Sequence, residues 1–203
     1  MSKLRIQDHP LPYVALLPER DTENVELAVV HCTELPDLQM AREYGERVLH
    51  PSGTGNSGHY YVDRDGAIYC YVPVTRSANH VYGHNANSIG IELVNRGRFP
   101  HWWDSRHQEM TEPYPAIQIT ALRSLLADLR QQLPSLHEIA GHEVLDTRMV
   151  AASDDPARYV RRKLDPGCMF PWTEVLRDCA LARWEQTSAC PVQAAEPQAA
   201  PNQ

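Results

Sequence analysis

Two histidines and one aspartate in this chain have the residue types and the sequence settings of a metal site. His31 ends an apolar run at residues 27–30, and His142 follows a second apolar run at residues 139–141. Each histidine alone would more often be a core or surface residue, so it is the joint pattern with Asp165 that points to a metal. Two imidazoles and one carboxylate make a three-ligand zinc site with an open fourth position, which is the pattern of a catalytic zinc.

Two further residues could work beside such a metal. Lys163 precedes Asp165 by two positions, so in an extended segment both side chains point to the same side. An ammonium there would stabilise an oxyanion, although a solvated surface lysine is the alternative. Glu92 lies between Ile91 and Leu93, and a carboxylate in an apolar strand is costly without a partner or a purpose. It is either a general base with a raised pKa or half of a structural salt bridge.

The elements that must position these residues follow from hydrophobic periodicity and turn signals. Strands are predicted at 25–31, 88–94 and 136–140, and helices at 38–49, 117–133 and 172–184. An Asp-Gly turn at 65–66 joins a predicted hairpin of 58–62 and 67–72. The interpretation divides the chain into an N-terminal arm with little regular structure (1–24), a catalytic domain (25–186) and a disordered Ala/Pro/Gln-rich tail (187–203). A long aromatic loop at 96–115 and a polar insertion at 144–162 interrupt the regular elements.

Composition narrows the function classes. The chain has 203 residues, of which 42% are hydrophobic and 22% charged, as in globular domains. Its formal net charge of −7 argues against a nucleic-acid partner, and no apolar run reaches the length of a membrane span. The polar N-terminus predicts no signal peptide and a cytoplasmic protein, unless a signal was removed or export uses another route. Oligomeric state cannot be predicted from the sequence.

The number and spacing of the cysteines do not indicate a set of disulfide bonds. There are five, an odd number, and none is in a CxxC pair. Reduced thiols are therefore expected. Cys32 is adjacent to His31, but neighbouring strand positions point to opposite faces, which disfavours it as a metal ligand. Cys168 is expected to be a buried thiol.

Five segments taken together resemble a known family, the zinc-dependent N-acetylmuramoyl-L-alanine amidases of the Amidase_2 and peptidoglycan-recognition-protein type. Any one of these segments is a weak signal, but all five occur in the family's order. They are Val29-Val30-His31, the Gly58-His59-Tyr60-Tyr61-Val62-Asp63-Arg64-Asp65-Gly66 stretch running on to Tyr69, Asn87-Ser88-Ile89-Gly90-Ile91-Glu92-Leu93, Gly141-His142, and Lys163-Leu164-Asp165-Pro166-Gly167.

The resemblance implies an α/β (α+β) single domain with a central mixed β-sheet flanked by α-helices. It implies Zn²⁺ as cofactor and hydrolysis of the amide between the lactyl group of N-acetylmuramic acid and L-alanine, in peptidoglycan or, as in cell-wall recycling, in soluble muropeptides. By position in the motifs, zinc ligands are expected at His31, His142 and Asp165, and the catalytic pair at Glu92 and Lys163.

Other residues match the resemblance more loosely. His80 falls near where the family has a groove histidine, and His59 is expected to pack beneath the site. The link from the second histidine to the lysine is longer than in the family pattern. Arg158, Arg161 and Arg162 cluster there, so they either contact carboxylates of a stem peptide or form a solvated patch.

Three alternatives remain open at the level of sequence. The first is a peptidoglycan-binding module that has kept the fold and lost catalysis. The second is a phage-type or exported amidase that lyses the cell wall. The third is an unrelated zinc hydrolase acting on another amide.

Overall fold

A seven-stranded mixed sheet forms the centre of the protein in the computed structural model, which describes residues 4–184. The strand order is β1-β4-β3-β5-β2-β6-β9, and all neighbours are parallel except the antiparallel pair β3–β4. A separate two-stranded antiparallel hairpin joins β7 to β8. The strands are β1 (Ile6–Asp8), β2 (Leu27–Cys32), β3 (Tyr60–Val62), β4 (Ile68–Cys70), β5 (Ser88–Leu93), β6 (Glu138–Gly141), β7 (Met149–Ala151), β8 (Tyr159–Arg161) and β9 (Ala182–Arg183).

The central strands are continuous apolar runs because both of their faces are covered. Every residue of β2 is buried, and residues 27–30 have no exposed surface. The parallel register pairs His31 with Glu92 on β5 and Val30 with Gly141 on β6. The carboxyl ends of three strands therefore meet at one edge of the sheet.

Helices cover the two faces of this sheet. The helices are α1 (Leu38–Gly45), α2 (Ala116–Gln132), α3 (His142–Leu145) and α4 (Trp172–Leu176). α2 buries Leu122, Leu125, Leu126 and Leu129 against the strands in the main core cluster. At the start of α1, the Asp37 side chain accepts a hydrogen bond from the Met40 amide at 2.7 Å, which satisfies one unpaired donor of the first turn. No helix among residues 4–184 is long and apolar enough to cross a membrane.

The predicted mixed sheet, the hairpin and the main helix are confirmed, but two local predictions are wrong. The first helix ends at Gly45 rather than at 49. The predicted helix 172–184 is a five-residue helix followed by an edge strand, because the chain reverses around Asp178 (φ 59°) and the amides of Ala182 and Trp184 donate to β6 and its lead-in. The N-terminal arm contributes β1 to the sheet edge, and the polar insertion contains the β7–β8 hairpin. The predicted disordered tail, 187–203, lies outside the described residues.

Candidate metal centre and cleft

The three predicted ligands converge at the carboxyl edge of the sheet. His31 lies near the end of β2, His142 is the first residue of α3 directly after β6, and Asp165 follows the β7–β8 hairpin. The Nδ1 atoms of the two histidines are 2.9 Å apart, and Asp165 Oδ2 lies 3.0 Å from His31 Nδ1 and 3.1 Å from His142 Nδ1. Ligands commonly bind beyond the carboxyl ends of the strands in open α/β sheets, and this cluster lies there.

The chemistry of this cluster fits a divalent metal. All three side chains are buried, with 1–3% of their surface exposed. Burial, together with the charge of His142, lowers the pKa of His31 to about 4, so its ring is neutral and carries a lone pair. Burial would raise the pKa of Asp165, but the charges of His142 and Lys163 outweigh it and hold that pKa well below its usual value. Asp165 Oδ1 and His142 Nε2 are buried without a hydrogen-bond partner among the described residues. The facing atoms are different ones: His31 Nδ1, His142 Nδ1 and Asp165 Oδ2 lie within 3.1 Å of one another, so one cation placed between them would take a ligand atom from each residue.

Glu92 and Lys163 line the same cleft as the three ligands. Glu92 reaches it from β5, opposite His31 in the register. Burial, reinforced by Asp165 and opposed by Lys163, raises the pKa of Glu92 to about 8. A Cβ at Gly58 would lie 2.8 Å from Glu92 Cγ, so the absence of a side chain there lets the strand lead-in pack against the stem of Glu92. The alternation predicted around Lys163 holds, because Leu164 packs against the main core on the other side.

The cleft has a volume of about 650 Å³ and continues well beyond the metal cluster. Asp146 lies beneath its cationic wall and accepts hydrogen bonds from the guanidinium groups of Arg148 and Arg162. Aromatic and cationic side chains line the rest of the cleft: Tyr44, Tyr82, Trp102, Trp103, Arg47, Arg148 and Arg162.

The residues that matched the family only loosely lie at different distances from the cleft. His80 lines the cleft, but both of its ring nitrogens are within hydrogen-bond distance of other side chains, His31 and Ser88. His59 is fully buried, with its ring centroid 5.5 Å from that of His80. Arg161 lies away from the metal cleft: it donates to the Glu143 carbonyl oxygen and lines a neighbouring shallow pocket. Its neighbour Arg162 faces the cleft instead.

The two cysteines considered in the sequence analysis, Cys32 and Cys168, differ in their burial. Cys32 is buried in the main core, on the side of β2 away from the cluster, as strand alternation predicts. Cys168 is exposed, so the expectation of a buried thiol is wrong; its Sγ is 3.6 Å from the Met110 carbonyl oxygen. Along the described chain, Cys32, Cys70, Cys168 and Cys179 are free thiols.

Sequence reasoning missed a buried ion pair that braces the site. Arg98 Nε and Nη2 donate to the Glu34 carboxylate at 2.7 and 2.8 Å, and the two side chains are only 1% and 8% exposed. Arg98 also donates to the carbonyl oxygens of Arg161 and Arg162, next to Lys163. The partners are 64 positions apart in the chain, so no local spacing could have revealed the pair.

Comparison with known proteins agrees with this geometry. A family model, Amidase_2, described as N-acetylmuramoyl-L-alanine amidase, matches residues 21–168. The N-acetylmuramoyl-L-alanine amidase AmiD of Escherichia coli strain K12 is 27% identical over 162 residues, which cover 74% of this chain and 52% of AmiD. The chain thus spans about half the length of this curated relative.

Solved structures share the fold at lower identity. LysC, an N-acetylmuramoyl-L-alanine amidase from Clostridium intestinale URNW, superposes with a TM-score of 0.61 at 20% identity, covering 85% of this chain and 95% of LysC. The complex of Escherichia coli AmiD with anhydro-N-acetylmuramic acid-L-Ala-D-gamma-Glu-L-Lys superposes with a TM-score of 0.57 at 23% identity, covering 76% of this chain and 57% of AmiD. Human PGRP-IBETAC superposes with a TM-score of 0.57 at 14% identity, covering 86% of this chain and 98% of its own. Because the family model matches well over half of the sequence, the chain belongs to the Amidase_2 family, the N-acetylmuramoyl-L-alanine amidases.

Proposed function

We propose that this protein is a zinc-dependent amidase that hydrolyses the bond between the lactyl group of N-acetylmuramic acid and L-alanine. The observation that carries the proposal is the cluster of His31 Nδ1, His142 Nδ1 and Asp165 Oδ2, in a cleft that Glu92 and Lys163 also line. Two imidazoles and one carboxylate favour zinc and leave a coordination position open. Family membership supplies the reaction class.

The chain's own residues have distinct roles in this hydrolysis. Zinc, when bound, supplies a Lewis acid that polarises the scissile carbonyl and activates water for attack. Glu92 takes the proton from the attacking water and delivers it to the leaving amine of L-alanine. Burial raises the pKa of Glu92 to about 8, which suits a carboxyl group that has to hold a proton and then give it up near neutral pH. The ammonium of Lys163 stabilises the negative charge that grows on the carbonyl oxygen.

We further propose soluble anhydro-muropeptides as the preferred substrates. The relative AmiD is described in complex with such a molecule as its substrate. The cleft in this chain carries Arg148 and Arg162 on one wall, and their guanidinium groups supply positive charge, and on the N–H groups that Asp146 leaves free also hydrogen-bond donors, for the carboxylates of a stem peptide.

The test compares two substrates with one preparation of the full chain, purified without chelator and assayed for metal content. We expect one zinc per chain, release of the stem peptide from anhydro-muropeptides, and much slower release from intact sacculi. Faster release from sacculi would overturn the substrate proposal. Binding of a muropeptide without any turnover would overturn the amidase proposal and leave a recognition module. Cleavage of other amides alone would overturn the proposed muramoyl-alanine bond and show a member of the family that acts on a different amide.

A further inference from the structure

We propose that His80 is a positioning residue that fixes the tautomer and the orientation of His31. This inference rests on the metal site of the proposed function. His80 does this through a directed chain of hydrogen bonds that begins at His31 and ends on a backbone carbonyl oxygen.

The chain of contacts is continuous. His31 Nε2 lies 3.0 Å from His80 Nδ1, and His80 Nε2 lies 3.1 Å from Ser88 Oγ. Ser88 Oγ donates to the carbonyl oxygen of His84 at 2.6 Å. His80 and Ser88 therefore connect His31, which is distant in the sequence, to a fixed backbone acceptor on His84.

The far end of the chain sets the direction of every proton in it. A carbonyl oxygen only accepts, so the Ser88 hydroxyl must donate to His84 and is left to accept from His80. His80 then carries its proton on Nε2 and accepts on Nδ1 from His31. His31 in turn carries its proton on Nε2, which leaves a lone pair on Nδ1, the atom that faces His142 and Asp165. The protein thus selects the ligand tautomer of His31 without any contribution from the metal.

Packing keeps the His80 ring in this position. A Cβ at Gly90 would lie 2.6 Å from both Cγ and Nδ1 of His80, so only glycine at this point of β5 leaves room for the ring. The rings of His31 and His59 meet that of His80 edge-on, at centroid distances of 5.2 and 5.5 Å. The amides of His80 and Val81 both donate to Asn85 Oδ1, at 3.0 and 2.8 Å, which braces the surrounding turn.

Two near-isosteric substitutions separate the tautomer role from simple packing. Asparagine places a carbonyl oxygen close to Nδ1 of a histidine, so His80→Asn keeps an acceptor for His31. Glutamine places its amide near Nε2, so His80→Gln keeps the contact to Ser88 and loses the acceptor for His31. His80→Phe keeps the ring shape and loses both.

The measurement is the zinc dissociation constant of the full chain, by competition with a chromophoric chelator, together with the visible absorption spectrum of the Co²⁺ form. Loss of an outer hydrogen bond to a metal-bound histidine typically weakens affinity by about 10–100-fold. We expect that loss and an altered Co²⁺ spectrum in His80→Gln and His80→Phe, with affinity close to wild type in His80→Asn. Equal affinities in all three variants and wild type, or equal losses in all three, would overturn the proposal.

A second perturbation covers the case in which substitutions at His80 impair folding, which the melting temperature of the metal-free protein reports. Gly90→Ala displaces the ring while keeping every donor and acceptor, so we expect weaker zinc binding with His80 still present. Unchanged affinity in Gly90→Ala would contradict the role of the ring position. Because the readout is affinity, wild-type protein that binds zinc but cleaves no muropeptide would refute the proposed function and leave this inference standing.

Discussion

Glu92 extends its carboxylate into the cleft from β5, and burial there raises its pKa to about 8. A second buried carboxyl, Glu143, follows the ligand His142, and burial raises its pKa to about 7. Of these two acids, only Glu92 lines the cleft. Access to the reacting atoms therefore distinguishes Glu92 from Glu143.

This difference gives a direct test of the proposed base. Glu92→Gln keeps the shape and removes the proton acceptor, so we expect zinc content to be retained and kcat to fall by about 10²–10⁴-fold. Steady-state kinetics on an anhydro-muropeptide measures the loss. The matched control is Glu143→Gln, which should keep kcat within a few-fold of wild type. Equal kinetics in the two variants would reassign the base.

Asp165 is the anionic member of the proposed zinc-ligand set. Asp165→Ala should lose bound zinc and turnover together, because the two remaining imidazoles leave the ion with only two protein donors. Metal analysis after dialysis and the same kinetic assay check both quantities. Asp104→Ala is the control, since Asp104 pairs with Arg106 outside the cleft. An Asp165 variant with full zinc content would remove this residue from the site.

At the scale of elements, the site depends on how the segment after β8 is held against β2. The guanidinium of Arg98 performs this task, because it binds the Glu34 carboxylate beyond β2 and the carbonyl oxygens of Arg161 and Arg162. The loop that carries Arg98 has no regular structure of its own. Its single buried cation therefore ties together elements that do not pair as strands.

Removing this cation should be costly. Arg98→Met leaves Glu34 as an unpaired buried charge, and we expect a loss of about 3–5 kcal/mol in the free energy of unfolding. Urea denaturation of the metal-free protein measures the change. Arg64→Met is the matched control: it breaks the Arg64–Glu112 pair, whose side chains are 31% and 29% exposed, and should cost about 1 kcal/mol or less. Similar losses in both variants would show that burial of the Arg98 pair adds nothing.

At the scale of the whole molecule, the buried carboxyls shape the pH dependence of stability. Glu92 and Glu143 have folded pKa values near 8 and 7, above their ordinary value of 4.5. The folded chain therefore holds protons that the unfolded chain has released, and stability falls as pH rises through these values. The pKa values of the buried histidines His31 and His59 are lowered, so these two residues make the free energy of unfolding rise with pH only up to about pH 6.5. Above that pH, the two carboxyl groups determine how the free energy of unfolding changes.

We predict that the free energy of unfolding of the metal-free protein decreases between about pH 6.5 and pH 8.5. Glu92→Gln should flatten this decrease, because glutamine does not titrate. Urea denaturation at several pH values measures it. In the control, Asp146→Asn, only the acid side should change: burial would raise the pKa of Asp146, but its bonds to Arg148 and the charge of Arg162 hold it low. A flat alkaline limb in wild type would contradict the prediction.

The sequence by itself determined the central strands and predicted five residues that the structure brings together in one cleft: His31, Glu92, His142, Lys163 and Asp165. Apolar runs ending in His31 and His142, and the alternation around Lys163 and Asp165, are local patterns, so they can be read from the sequence without knowing the tertiary contacts. The sequence-based prediction was wrong for 172–184 and did not foresee the short strand β1 in the N-terminal arm. Edge strands form where a neighbouring strand offers unpaired backbone groups, and hydrophobic periodicity carries no information about that. The Arg98–Glu34 pair, the His31–His80–Ser88 relay and the separation of Arg161 from Arg162 were decided only by the tertiary structure, since each depends on distances between residues far apart in the chain.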